Sequence, residues 1–369
     1  MSSGPYTQIM KKFSADAMIG PERGQPLLEK LVRHCFTPDE AELAGRMSFF
    51  YKPESVKTLA KRTGRRKDDL LPLLETMADK GVIRAGEKGY ALLPILPGIF
   101  ENVLLRGDAT PWHIEFARIM NELFGTGYIR RYLDTPTRVA RVIPVEETVE
   151  FKNSEVDSDY MSRMIDAHDT MAVLNNCQCR QAAFFIGDEC TTASRFDGCL
   201  VFGSFAKPFL DRGAARLVSK DEMRSIVTER WKSNLVFYTG NISHKSTNFI
   251  CTCCSCCCHM INQIIRPQPE MILAQPHYKV VCDDSKCIDC GKCLAACATF
   301  AHNMDGRRHT YDPQRCVGCG LCISACPVGA LDMVENPAFR KPPKTFRRLV
   351  FSLAPAKISA VVKQKLKGN

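Results

Sequence analysis

The sequence predicts a multidomain chain of the α+β class. Three observations carry this: a helix, turn, helix, hairpin order of apolar patterns between residues 54 and 92; a cysteine-dense middle region with mixed helical and extended signals; and a repeated four-cysteine run between residues 280 and 335. A length of 369 residues leaves room for two or three domains. Hydrophobic residues make up 45% and charged residues 24%, which suits a protein with a sizeable core and excludes a disordered class.

Residues 1–24 read as a loose leader. Lys11, Lys12, Glu22 and Arg23 interrupt any secretory signal. Residues 25–105 read as a winged-helix-like domain. Glu54–Thr63 is a short amphipathic helix ended by Gly64, and Asp68–Lys80 is a second one ended by Gly81. Val82–Arg84, a Gly86–Gly89 turn and Tyr90–Leu92 then form a hairpin. Residues 106–275 read as an α/β middle domain. It has a helix over 110–135, a buried strand at Met171–Leu174 and a helix that Ser219 and Glu222 cap as a box, running to about Lys232. Residues 276–336 hold the repeat, with Asp305-Gly306 as the turn between its arms. Residues 337–369 form a basic tail. Its nine lysines and arginines meet no acidic residue, so the net charge of +10 describes the tail more than the body. No apolar run reaches the roughly 18–20 residues of a membrane span; Pro94, Pro97 and Glu101 break the best candidate, Tyr90–Leu105.

Twenty cysteines are the abnormal feature, fifteen of them between Cys251 and Cys326. Such density means disulfides or metal. Without a secretory signal the chain is expected in the cytoplasm, where thiols stay reduced, so these cysteines read as metal ligands. The first arm of the repeat is Cys287-x-x-Cys290-x-x-Cys293-x-x-x-Cys297, and the second is Cys316-x-x-Cys319-x-x-Cys322-x-x-x-Cys326-Pro327. This is the spacing of a bacterial-type ferredoxin with two [4Fe-4S] clusters, in which the fourth cysteine of each run ligates the other cluster. Cys287, Cys290, Cys293 and Cys326 are therefore expected to hold cluster 1, and Cys316, Cys319, Cys322 and Cys297 cluster 2. Two zinc knuckles are the poorer reading, because zinc sites close after four ligands with a longer central gap. Ala298 stands where the second arm has Pro327; this removes no ligand.

The middle region adds Cys177, Cys179, Cys190 and Cys199, then Cys251, Cys253, Cys254, Cys256, Cys257 and Cys258 followed by His259. Some four of these ten are expected to form a third site, either a cluster or a tetrahedral metal. The spacing does not say which four. Six reduced thiols in eight residues invite oxidation unless something coordinates them. Cys35 and Cys282 fit buried small apolar residues instead. Arg180, beside the first pair, either stabilises thiolates or holds an anion, or serves as an ordinary ion-pair partner.

The Cys177-Gln178-Cys179-Arg180 element, Cys190, the Cys199–Gly203 stretch, the Cys251–Cys258 run, the two arms and the Thr135–Thr137 to Ile143–Glu147 segment together resemble a family. It comprises 4Fe-4S ferredoxin-type iron–sulfur proteins of anaerobes with a winged-helix-like N-terminal region. The resemblance covers about residues 25–335 and implies electron transfer between redox partner proteins. Two other functions stand beside it. One is an iron–sulfur oxidoreductase with its substrate at the Cys177/Cys251 centre, where Arg180 and His259 bind an anion or pass a proton. The other is a redox-sensing regulator that meets DNA through Arg62, Arg65, Arg66 and Lys67. Asp68, Asp69, Glu75 and Asp79 on the same helix oppose DNA and favour protein docking. Residues 338–369 suit an anionic membrane surface, an acidic partner or plain solvation.

Overall fold

The computed structural model describes residues 4–17, 25–50, 52–126, 138–148, 160–267, 272–345 and 348–349. It is made of two compact units. Among the described residues the first comprises those within 4–126 and 181–189, and the second those within 138–180 and 190–349.

The first unit opens with helices α1 (Pro5–Ala17), α2 (Gln25–Cys35) and α3 (Pro38–Arg46). The expected loose leader is thus helical over Pro5–Ala17, and α1 buries Ile9 and Phe13 against its neighbours. Helices α4 (Val56–Thr63) and α5 (Lys67–Asp79) precede a hairpin of β1 (Ile83–Gly86) and β2 (Gly89–Leu92). Gly64 ends α4 in the left-handed conformation, as its position in the sequence requires. The segment after α3 touches β2 through bridges at Phe49–Leu92 and Glu54–Tyr90. A short turn then leads to α6 (Phe100–Leu104) and α7 (Pro111–Gly125). Helix α7 was expected in the middle domain. It belongs to the first unit, where Trp112 stacks on His34 of α2 and Phe116, Met120 and Phe124 enter the core. The rest of the expected 110–135 helix lies outside the described residues, as do Thr135–Thr137 and most of the basic tail.

The second unit is built on a six-stranded sheet, in the order β3-β7-β8-β5-β4-β6. Its strands are β3 (Ala140–Ile143), β4 (Met171–Leu174), β5 (Leu200–Phe202), β6 (Ala215–Leu217), β7 (Val236–Gly240) and β8 (Phe249–Cys253). Helices α8 (Met161–Asp166), α10 (Lys207–Asp211), α11 (Lys220–Lys232) and α12 (His259–Ile264) connect or follow them, and α9 (Gln178–Phe185) belongs to this unit only as far as Arg180. Every pair in the sheet is antiparallel, so the middle domain is α+β where α/β was expected. Ser219 Oγ accepts from the Glu222 amide at the start of α11, as the box predicts. Strands β3, β4, β5 and most of β7 and β8 are buried, which fits their near-continuous apolar runs.

The repeat belongs to this same unit. Strand β9 (Tyr278–Cys282) pairs with β12 (Leu331–Glu335), and β10 (His302–Asp305) with β11 (Arg308–Tyr311). Short helices α13 (Lys292–Ala296) and α14 (Leu321–Ala325) pack together and carry the third cysteine of each arm. The second arm rests on the sheet domain: Val145 N–H donates to Cys319 O (2.8 Å), and Arg315 donates to the carbonyls of Ile265 and Arg266 (3.0 Å each). No helix among the described residues is long and apolar enough to cross a membrane.

Candidate iron–sulfur and metal centres

The two arms repeat with a period of 29 residues, and their backbones repeat with them. Asp289 and Gly318 both have positive φ (53° and 66°), as do Gly291 and Gly320 (72° and 81°) and Phe300 and Gly329 (52° and 61°). Asp289 and Phe300 hold a left-handed conformation that ordinary residues avoid at a cost of about 1–2 kcal/mol. The same left-handed backbone repeated at matching points of two loops, and kept in the first arm at a cost in strain, suits a constrained binding cradle. Asp289 is held by its own carboxylate, which accepts from the His309 amide at 2.7 Å.

These loops turn amides toward sulfur. Ala301 N–H donates to Cys297 Sγ and Ala330 N–H to Cys326 Sγ, each at 3.3 Å and at matching positions of the repeat; Gly318 N–H donates to Cys316 Sγ at 3.4 Å. Burial alone would raise the Cys326 pKa, but amides from Val328 to Leu331 hold it below the usual thiol value. Cys319 goes the other way: burial, then the nearby Cys297, pushes it up to about 12. Burial, then Cys319 and Cys297, push Cys322 up as well. Thiols this hard to ionise become thiolates when a metal takes the place of the proton. Cys297 of the first arm packs against the buried cluster that contains Cys316 and Cys322 of the second. The amide-lined, thiol-rich loops fit an iron–sulfur cofactor.

Two histidines join this region that the sequence did not single out. His302 Nδ1 and His309 Nε2 lie 2.8 Å apart and are buried beside Cys293, while Cys282 and Cys287 approach His309 from the other side. Burial, then His309, lowers the His302 pKa to about 4. Cys282 is only partly buried, so it is not the inert core thiol that its isolation suggested. The one available signal was two histidines seven residues apart between the arms.

The ten middle cysteines gather at one end of β4, β5 and β8. Leu174 N–H donates to Cys199 O and Cys177 N–H to Arg195 O, which brings Cys177 and Cys199 together. Leu200 lies opposite Ile250, and the same register sets Cys199 Sγ 3.5 Å from Cys251 Sγ. Cys251 and Cys253 share one face of β8, and Cys253 interacts with Cys258. Tyr238 OH lies 3.6 Å from Cys258 Sγ. The partner-thiol interactions and burial raise Cys251, Cys253 and Cys258 well above the usual thiol range. A second group comprises Cys190, Cys254, Cys256 and Cys257, whose sulfurs all lie within 4.8 Å of one another. Within it Cys257, and then Arg180, bring Cys254 down to about 4.

Arg180 is 1% exposed. Its guanidinium donates to the carbonyls of Ser194, Asp197 and Thr252 at 3.3, 3.0 and 2.9 Å. Among the described residues it pairs with no carboxylate; it interacts with the thiols Cys177, Cys254 and Cys253, of which Cys254 is the one held as a thiolate. A buried cation needs a buried anion, and the Cys254 thiolate supplies one, so Arg180 is not an ordinary carboxylate ion-pair partner. His259, at the start of α12, is held neutral by burial, which lowers its pKa to about 4. It does not join the gathered thiols.

In the first unit three of the four basic residues considered for phosphate are engaged. Arg62 pairs with buried Glu54, Arg65 with Asp39 (2.7 Å) and Arg66 with Asp69 (2.9 Å). No curated protein and no solved structure matches the chain. Residues 286–330 match the model of a family described as the 4Fe-4S dicluster domain, and this match, together with the gathered thiols, makes the chain an iron–sulfur protein with a 4Fe-4S ferredoxin-like domain.

Proposed function

We propose that the chain is an electron-transfer component of an anaerobic redox system, working with redox partner proteins in the cytoplasm. The ferredoxin module holds two [4Fe-4S] clusters, one on Cys287, Cys290, Cys293 and Cys326 and one on Cys316, Cys319, Cys322 and Cys297. A third cluster or metal site lies among the middle-domain thiols. The single observation that carries this reading is the repeat itself, eight cysteines at matched spacing with matched positive φ and matched amide-to-sulfur bonds.

Bound there, the clusters supply one-electron chemistry. The chain's own residues set the terms. Amides of Ala301, Gly318 and Ala330 stabilise negative charge on the ligand sulfurs, which favours the reduced state and raises the potential. Cys290 is exposed and Ile288 beside it is 60% exposed, whereas Cys316 and Cys322 are buried and Cys319 hydrogen-bonds the sheet domain. The first arm therefore faces a partner and the second faces the middle-domain thiols. The first unit reads as a winged-helix-like docking module, because Arg62, Arg65 and Arg66 are already paired with carboxylates.

One observation favours an oxidoreductase as the second reading. A cavity of about 470 Å³, lined in part by Thr192, Ala193, Asp197, Arg216 and Arg230, opens beside the loop between Cys190 and Cys199. The test of a third cluster is anaerobic iron and sulfide quantification with EPR on the wild type and on Cys177→Ser. The wild type should exceed the roughly eight irons of two clusters, and the variant should lose the excess. Eight irons in both would overturn a third iron–sulfur cluster.

A further inference from the structure

The ten middle cysteines form two groups of different geometry. Cys199, Cys251, Cys253 and Cys258 run in a chain along β5, β8 and the start of α12, with Cys177 and Cys179 nearby. Cys190, Cys254, Cys256 and Cys257 form a compact knot instead. Cys190 Sγ lies 3.6 Å from Cys254 Sγ and 3.4 Å from Cys256 Sγ, and Cys256 and Cys257 are 3.7 Å apart.

These distances select the occupant. A tetrahedral thiolate site with metal–sulfur bonds of about 2.3 Å places its sulfurs about 3.8 Å apart. A four-iron cube is different. Each ligand sulfur sits outside its own iron, so the four stand well beyond contact, and four touching sulfurs leave no room for a cube. The same chain shows the contrast: among the described residues, no three of the eight arm cysteines gather as closely as this knot. The knot also has its counter-charge. Four thiolates on one divalent ion carry two negative charges, and buried Arg180 faces Cys254.

We infer that Cys190, Cys254, Cys256 and Cys257 bind a single divalent metal ion, zinc or iron, in a tetrahedral four-thiolate site distinct from any iron–sulfur cluster. The ion clamps the loop at Cys190 to the turn after β8, across 64 residues of sequence. It fixes that turn between Cys253 and Cys258, two members of the chain-like group. This deepens the reading of the middle domain as metal-binding and does not depend on the ferredoxin clusters.

The test uses the full chain purified without oxygen, assayed for zinc, iron and acid-labile sulfide. Cys256→Ser suits it because Cys256 is the exposed member of the knot; Cys190→Ser is the second variant. Each should lose one metal ion per chain with sulfide unchanged. On the wild type, zinc-edge X-ray absorption should show four sulfurs at about 2.3 Å; if the ion is iron, Mössbauer spectra should show one mononuclear site beside the clusters. The inference is overturned if sulfide falls together with the metal, if neither variant loses metal, or if the wild type holds no mononuclear ion. Failure of the electron-transfer reading would show separately, as absent [4Fe-4S] signals in the wild type.

Discussion

Gly318 shows how much one position of the repeat carries. Its φ is +66°, and a Cβ there would run into the carbonyl of Tyr278 on β9 and the ring of Pro276. The left-handed conformation alone costs an alanine about 1–2 kcal/mol; the clash adds to it, because the obstacle is backbone. Gly318→Ala should therefore loosen the second arm from β9. The expected outcome is a lower thermal midpoint and less iron after anaerobic purification, with the first unit unaffected. Equal iron and equal melting would contradict the close approach. At this scale the arms were legible, because ligands two or three residues apart report themselves in the sequence. The middle site was not: Cys199 meets Cys251 across 52 residues through strand register.

At the scale of elements, the first unit is held by ion pairs that sequence charge alone had left free. Glu54 is buried beneath Arg62, and its carboxylate also accepts from the Ser48 amide at 2.8 Å. Burial would raise the Glu54 pKa, but Arg62 and Ser48 together bring it below the ordinary value of 4.5. A depressed folded-state pKa means this stability is present above pH 4.5 and lost as pH falls through the folded value. Arg62→Met leaves a buried charge uncompensated, so the unit should lose roughly 3 kcal/mol at neutral pH. The gap to wild type should narrow on acidification, as denaturant unfolding at pH 7 and pH 4 would show. A variant as stable as wild type at pH 7 would free Arg62 for another role. The α4–α5–hairpin order was readable because Gly64 and the Gly86–Gly89 turn punctuate it. Helix α1 was not, since Ile9 and Phe13 acquire meaning only from the helices that cover them.

Across the whole molecule, the ferredoxin module and the antiparallel sheet form one compact unit, and the second arm is hydrogen-bonded to the sheet domain through Cys319. The sequence divided them at residue 275, because the change in cysteine pattern is abrupt there while the contacts that join them come from distant positions such as Val145. On the proposed function the arms are one end of a larger redox unit. The most direct test of that account is iron and sulfide content with EPR of the reduced protein, comparing wild type with Cys293→Ser under anaerobic conditions. The account predicts that the wild type shows the signals of two [4Fe-4S] clusters in the module, and that the variant loses about four irons and four sulfides while the cluster on Cys316, Cys319, Cys322 and Cys297 persists. A wild type without acid-labile sulfide, or a variant with the same iron, sulfide and spectrum as wild type, would contradict it.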